Sequence, residues 1–238
     1  EIELFLGDDL LQGNDGGPFP GNITLTIGGV KTFQRYFGRT PIIEEATIQK
    51  FRTLQFATDG NEAQNSVTLA VKYAGTNADD ISIGILLTST AEGGVEPTYY
   101  KVNSAEFQVD STDNELATFK FVVPAGQGRG VMLSVKRGSQ LSEYVSFNYI
   151  GPSVDKVISP ILATSGSNVI ITGSNFGVEE PKVSILGSNN AAAGECRIIT
   201  SDHTKIECQS PNGRGTDVYS VFVRSGNQLS EVLAYAGQ

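Results

Sequence analysis

PNGRGTDVYSVFVRSGNQLSEVLAY (residues 211–235) decides the fold, because an earlier stretch, PAGQGRGVMLSVKRGSQLSEYVSFNY (124–149), follows the same grammar. Each opens on Pro and a Gly-rich turn. In the earlier stretch Val131, Leu133 and Val135 then alternate with Met132, Ser134 and Lys136. In the later one Tyr219, Val221 and Val223 alternate with Ser220, Phe222 and Arg224. A period of two is what a strand with one face on a core requires. A short turn follows (Arg137-Gly-Ser; Ser225-Gly-Asn), then Gln-Leu-Ser-Glu at 140–143 and 228–231, then a strand ending in Tyr149 or Tyr235. Each stretch therefore reads as a β-hairpin closing a module. Within the repeated tetrapeptide Leu is expected to pack inward, with Ser and Glu toward water.

A third, fainter copy lies at 20–37, PGNITLTIGGVKTFQRYF. Ile23, Leu25 and Ile27 alternate with Thr24, Thr26 and Gly28, and Gly28-Gly29 makes the turn. The copies begin at Pro20, Pro124 and Pro211, spacings of 104 and 87 residues. That is the size of an immunoglobulin-like sandwich.

Composition agrees. The 238 residues are 39% hydrophobic and only 18% charged, with 27 glycines. This mixture suits short strands and tight turns more than helices. A formal charge of −9 repels a phosphate backbone, so nucleic acid is not an expected partner. No apolar run reaches the roughly 18–20 residues needed to cross a bilayer. The sequence opens at Glu1 without a signal-peptide pattern, which reads as a processed portion and leaves secretion open. Cys196 and Cys208 are the two cysteines. They could form one disulfide, which would indicate an oxidising compartment; two buried free thiols are the alternative.

The third module carries further features. VISPILATSGSNVIITGSNFG (157–177) is followed by CRIITSDHTKIECQSP (196–211) and the terminal hairpin. Pro160, the corner Gly173-Ser-Asn-Phe-Gly177, Cys196 with Cys208, Pro211 and Tyr235 together resemble the IPT/TIG domain. This immunoglobulin-like module occurs in plexins, growth-factor receptors, Rel-type transcription factors and microbial surface proteins. One departure is Ser165-Gly166-Ser167-Asn168, where the family usually has a Gly-Gly pair. The resemblance covers 152–238. Residues 41–151 match in their closing hairpin but lack the Asn-Phe-Gly corner and both cysteines, so they read as a divergent, enlarged IPT/TIG-like sandwich. Residues 1–40 read as the closing strands of a module whose front half is missing. The expected fold is all-β: tandem immunoglobulin-like (IPT/TIG-type) β-sandwiches with an incomplete N-terminal module.

Candidate chemistry is sparse. Ser201-Asp202-His203 contains triad residue types, but sequence neighbours point to different sides of a strand or turn. Asp8-Asp9, Asp79-Asp80 and Asp110 with Asp113 and Glu115 follow no EF-hand spacing, and turn-forming Asp is the plainer reading. The Gly-rich stretches 126–130 and 212–215 lack the Lys-Ser/Thr of a phosphate cradle. No catalytic, cofactor-binding or metal-ligating residue is assigned, and the chain is expected to be non-enzymatic. Asn22-Ile23-Thr24 is an N-glycosylation sequon at Asn22.

An incomplete sandwich exposes strand edges and apolar residues. Ile2, Leu4, Leu6, Ile23, Leu25 and Ile27 are therefore the expected assembly interface. Either upstream chain completes the module, or a neighbouring copy adds strands to it. Head-to-tail addition that does not close generates filaments. The leading expectation is an extracellular or cell-surface structural protein, a glycan-bearing homopolymer assembled by strand complementation. A fragment of a receptor or adhesin ectodomain binding a protein or glycan is the alternative. A third class is an accessory domain of a carbohydrate-active enzyme, inert by itself because it shows no paired catalytic carboxylates.

Overall fold

The computed structural model describes residues 21–27, 30–37, 39–86, 96–113, 115–158, 165–187, 192–212 and 218–236, the side chains of 21–37, 192–193, 218 and 234–236 excepted. The first described elements are β1 (Gly21–Ile27) and β2 (Val30–Phe37). They pair antiparallel, Gly21 opposite Phe37 and Leu25 opposite Phe33, with a register shift between Leu25 and Thr26. Gly28 and Gly29, expected as the turn, lie outside the described residues.

The next sandwich has two sheets. One runs β3 (Ile42–Ile43), β5 (Ser66–Lys72), β9 (Leu116–Val122), β8 (Gln108–Val109). The other runs β4 (Gln55–Phe56), β12 (Val145–Tyr149), β10 (Arg129–Arg137), β6 (Ile81–Leu86), β7 (Thr98–Lys101), with β11 (Gln140–Leu141) hairpinned onto β10. In immunoglobulin lettering these are A-B-E-D and A′-G-F-C-C′. The parallel pairing of β4 with the end of β12 supplies A′. The residues of β10 expected to face inward, Val131, Leu133 and Val135, are buried, and Ser134 between them, expected on the outer face, is buried as well.

Composition did not announce a helix here, yet Glu45–Thr53 forms α1 between β3 and β4. Thr47 and Phe51, four residues apart, share its buried face. Glu45 in the first turn and Lys50 and Arg52 in the last complement the helix dipole. Phe51 enters a ring cluster with Phe56 and Phe147, centroids 5.4–5.8 Å apart, and Phe147 contacts Tyr149. A one-turn helix α2 (Glu62–Asn65) precedes β5. Its buried Asn65 bonds Ala57 and Val123 backbone groups, joining the two sheets.

The last sandwich repeats the scheme. β13 (Ser153–Ile158), β14 (Asn168–Ser174), β17 (Lys205–Gln209) and β16 (Ala192–Ser201) form one sheet; β16, β15 (Lys182–Gly187), β18 (Val218–Ser225) with β19 (Gln228–Leu229) and β20 (Leu233–Ala236) form the other. The first half of β16 pairs with β15 and its second half with β17, so one strand serves both sheets. Where it crosses, Cys196 is joined to Cys208 of β17 by a disulfide, Cα–Cα 5.7 Å, both residues buried.

Candidate functional site: the open hairpin and the joint

Among the described residues β1 and β2 form a sheet of two strands. The equivalent strands elsewhere are not so placed. β10 lies between β6 and β12, and β18 between β15 and β20. Ile23, Leu25 and Ile27 therefore lie on a strand whose outer edge carries no described partner, and the sequon Asn22 lies on the same strand. Ile2, Leu4 and Leu6 lie outside the described residues.

The repeated hairpin endings have a role that their alternation alone does not reveal. The Ser142 hydroxyl accepts from Val135 N–H at 2.8 Å and donates to the Glu143 carbonyl; Ser230 does the same with Val223 and Glu231 at 2.9 and 2.8 Å. Both serines are buried, whereas Leu229 is 54% exposed and Leu141 half-buried. The expected orientation of the tetrapeptide is thus corrected. Its Ser staples the closing strand to its neighbour, satisfying a backbone amide that the kink between β11 and β12, or β19 and β20, leaves unpaired.

The first residue of the tetrapeptide serves the joint between the sandwiches. Gln228, 4% exposed, donates from Nε2 to the carbonyl of Tyr149, the last residue of β12, at 3.0 Å. Its neighbour Asn227 clasps Arg129: Oδ1 accepts from the Arg129 amide at 2.7 Å, and Nδ2 donates to its carbonyl at 3.1 Å. Gln127, 3% exposed, accepts at Oε1 from the amides of Val178 and Glu179 at 2.9 and 3.0 Å, and donates to the Glu179 carboxylate at 3.2 Å. The Gly-rich turn 126–130 is therefore a turn, and it is also the tongue of the joint. Glycine is needed on the receiving side. A Cβ on Gly177 would sit 1.9 Å from Gln127 Oε1, and one on Gly226 3.2 Å from Gly128 Cα.

His203 also belongs to the joint. Its Nδ1 lies 3.0 Å from Thr58 Oγ1, and Asn175 Oδ1 accepts from the Thr58 amide at 3.3 Å. The Ser201-Asp202-His203 run is held as a turn: Asp202 Oδ1 accepts from Thr204 N–H, Thr204 Oγ1 and Lys205 N–H. These bonds hold its carboxyl below the usual range. Asp110 is bound in the same way by Thr112 and Asp113, with the same downward shift, so its charge is committed to its own turn. Among the described residues no three His, Cys, Asp or Glu side chains cluster as metal ligands. Asp8-Asp9 lies outside them.

The corner that the first sandwich lacks in sequence is present in backbone. Asn175 (φ 59°) and Gly177 (φ 93°) bracket buried Phe176; Tyr73 (φ 58°) and Gly75 (φ 87°) bracket buried Ala74. Left-handed backbone at the first and third positions makes the corner, and Tyr73-Ala74-Gly75 supplies it without Asn or Phe.

These observations define a tandem of immunoglobulin-like sandwiches preceded by an open hairpin. Residues 152–235, which hold the second complete sandwich, match the family model of the IPT/TIG domain, as the motifs of that stretch led one to expect. No curated protein sequence matches the chain. Among solved structures it is similar to the Yersinia pseudotuberculosis adhesin InvE, at 11% identity and TM-score 0.43 over 84% of this chain and 58% of that one. It is also similar to a protein crystallised with a xylogluco-oligosaccharide (10%, 0.38, 83% and 41%) and to bovine butyrophilin (8%, 0.37, 83% and 98%). The chain spans less than two thirds of the first two. At these scores the likenesses say nothing of ligand or partner. No described helix is long and apolar enough to cross a membrane.

Proposed function

We propose that the chain is a non-enzymatic extracellular or cell-surface protein, a subunit of a polymer in which β1 of one copy pairs with a strand edge of the next. The observation that carries this reading is the two-stranded sheet β1–β2, unpaired on both outer edges among the described residues. Unpaired edges with alternating apolar residues recruit strands from other chains. The Cys196–Cys208 disulfide supports an oxidising compartment. Glycans, at Asn22 or on outward Ser and Thr, belong to the same reading. Sedimentation at two concentrations a hundredfold apart tests it. Association that grows with concentration is expected, and a concentration-independent monomer contradicts it.

A second reading has an observation in its favour. The strands described between residues 42 and 236 are already used in two sandwiches. A second copy can therefore offer an edge, whereas upstream chain can offer whole strands. In that reading the chain is part of a longer ectodomain that binds a protein or glycan. Peptide mapping of the native protein separates the two: upstream peptides in the same chain favour the ectodomain.

A further inference from the structure

The kink that follows the repeated tetrapeptide turns the next residue outward in both sandwiches. Ser142 and Ser230 are held inside by the same pair of bonds, and the residues after the tetrapeptide, Tyr144 and Val232, are 45% and 60% exposed. The geometry is shared but the residue is not. The first sandwich presents a ring where the second presents an aliphatic side chain. Among the described residues, only the first also has a helix beside this kink. There α1 packs against β12, and an open groove of about 830 Å³ runs between β3 with α1 on one side and the kink on the other. That volume lies in the range of ligand sites, about 300–1,000 Å³.

Buried Pro41, Ile43 and Val145 line the groove with half-buried Met132 and Ile48, and Ile42 is exposed along it. Among the described residues the Tyr144 ring has no aromatic, cationic or hydrogen-bonding partner, so its face is free. The charged side chains of the lining are Glu44, Glu45, Glu143 and Arg52. Glu44 lies 3.5 Å from Lys72 and Glu45 3.7 Å from Arg52, so two of the three carboxylates are already paired. Gln49 also donates to Glu45 at 2.5 Å, which fixes that carboxylate further. Glu143 makes no ion pair among the described residues.

These groups select a ligand by its charge. An anion would meet three carboxylates and one lining cation. A cation would meet Arg52, with two of the carboxylates already neutralised. A hydroxyl suits both signs, because it donates to a carboxylate and accepts from a guanidinium, and hydrogen bonds to charged groups are the stronger class. The exposed ring adds a platform. Its negative face attracts the slightly positive C–H hydrogens on the flat side of a pyranose. We propose that this groove binds a neutral oligosaccharide, with one sugar ring lying on Tyr144 and hydroxyls bonded to Glu143 and to the Glu45–Arg52 pair. The proposal rests on the ectodomain reading, for which it names the ligand class and the residues. Polymer formation through β1 neither requires nor forbids it.

An array of neutral cello-, xylo-, manno- and chitin oligosaccharides, with acidic sugars and polylysine beside them, tests this when probed with the intact chain. The chain is expected to retain a neutral sugar, which is then titrated against variants. Tyr144→Ala should weaken binding on the order of tenfold, whereas Tyr144→Phe, which keeps the ring, should bind as the native chain does. Val232→Ala, at the equivalent kink of the second sandwich, should leave binding unchanged. Tyr144 is exposed, so these variants should melt as the native chain does, and calorimetry checks that they do. Retention of no neutral sugar overturns the proposal, and so does retention of acidic sugars or of polylysine in place of neutral ones. Binding of a neutral sugar that Tyr144→Ala does not weaken also overturns it while leaving the ectodomain reading standing, so the two failures are told apart.

Discussion

The two complete sandwiches share topology, corner, Asp turn and Ser staple, and differ in what fills them. The first is packed with rings: Phe51, Phe56, Phe119, Phe147 and Tyr149 are all nearly inaccessible. The second is built on Val and Ile with Phe176 and Tyr219 as buried rings, and it carries the Cys196–Cys208 disulfide where β16 changes sheets. A ring cluster and a covalent link thus stabilise the same frame by different physics. Aromatic burial acts on the folded state, whereas a cross-link mainly limits the unfolded ensemble. What does not vary is the polar hardware of the turns, because every backbone group at a kink needs a partner whatever the core contains.

Changes inside the two cores should break this contrast most strongly. Phe51→Ala empties a fully buried ring site and should cost about 4 kcal/mol, lowering the melting of the first sandwich alone in calorimetry. Reduction of the disulfide should cost about 3 kcal/mol, this time from the second sandwich alone. If both transitions move together in either experiment, the joint couples the sandwiches more tightly than their cores separate them.

Gln127→Ala acts on the joint. It leaves the amides of Val178 and Glu179 without the carboxamide oxygen that accepts from both, a loss of about 2 kcal/mol for the two bonds, read as faster exchange at those amides with both cores intact. The paired variants Ser142→Ala and Ser230→Ala should cost nearly the same, about 1 kcal/mol each, because each serine makes the same two bonds. Markedly unequal costs in urea unfolding would mean that the staple is not one device used twice.

The smallest effect is in alkali. Burial pushes the Tyr149 phenol well above its usual range, and its hydroxyl donates to the Pro124 carbonyl at 2.9 Å. The unfolded chain releases this proton near pH 10 while the folded one retains it. The first sandwich should therefore keep full stability below about pH 10 and lose it as pH rises further. Tyr149→Phe should flatten that slope, at the cost of the Pro124 bond.

Much of this was legible in the sequence where one period decided the outcome. Val131, Leu133 and Val135, and Tyr219, Val221 and Val223, alternate as a half-buried strand must, and they are core. The Cys pair and the Asn-Phe-Gly corner marked the second sandwich. What escaped was geometry that several residue types can satisfy. Tyr73-Ala74-Gly75 builds the corner because left-handed backbone and a glycine suffice. The helix α1 is short, and its buried Thr47 and Phe51 leave a weak periodic signal. The joint brings together residues as far apart as Thr58 and His203, which no local pattern connects. The shared Gly-Arg-Gly beside Gln127 and Asn212 was the one available hint that a turn served as a contact.

In the proposed function the open β1–β2 edge is used for assembly. Negative-stain microscopy of the purified chain, with and without single prolines placed along residues 22–26 of β1, tests it most directly. Prolines at one alternate set of positions remove outward-facing amides and should abolish filaments while both sandwiches still melt normally; the native chain should form them. Isolated particles from the native chain, or filaments unaffected by proline at every position, would contradict the account.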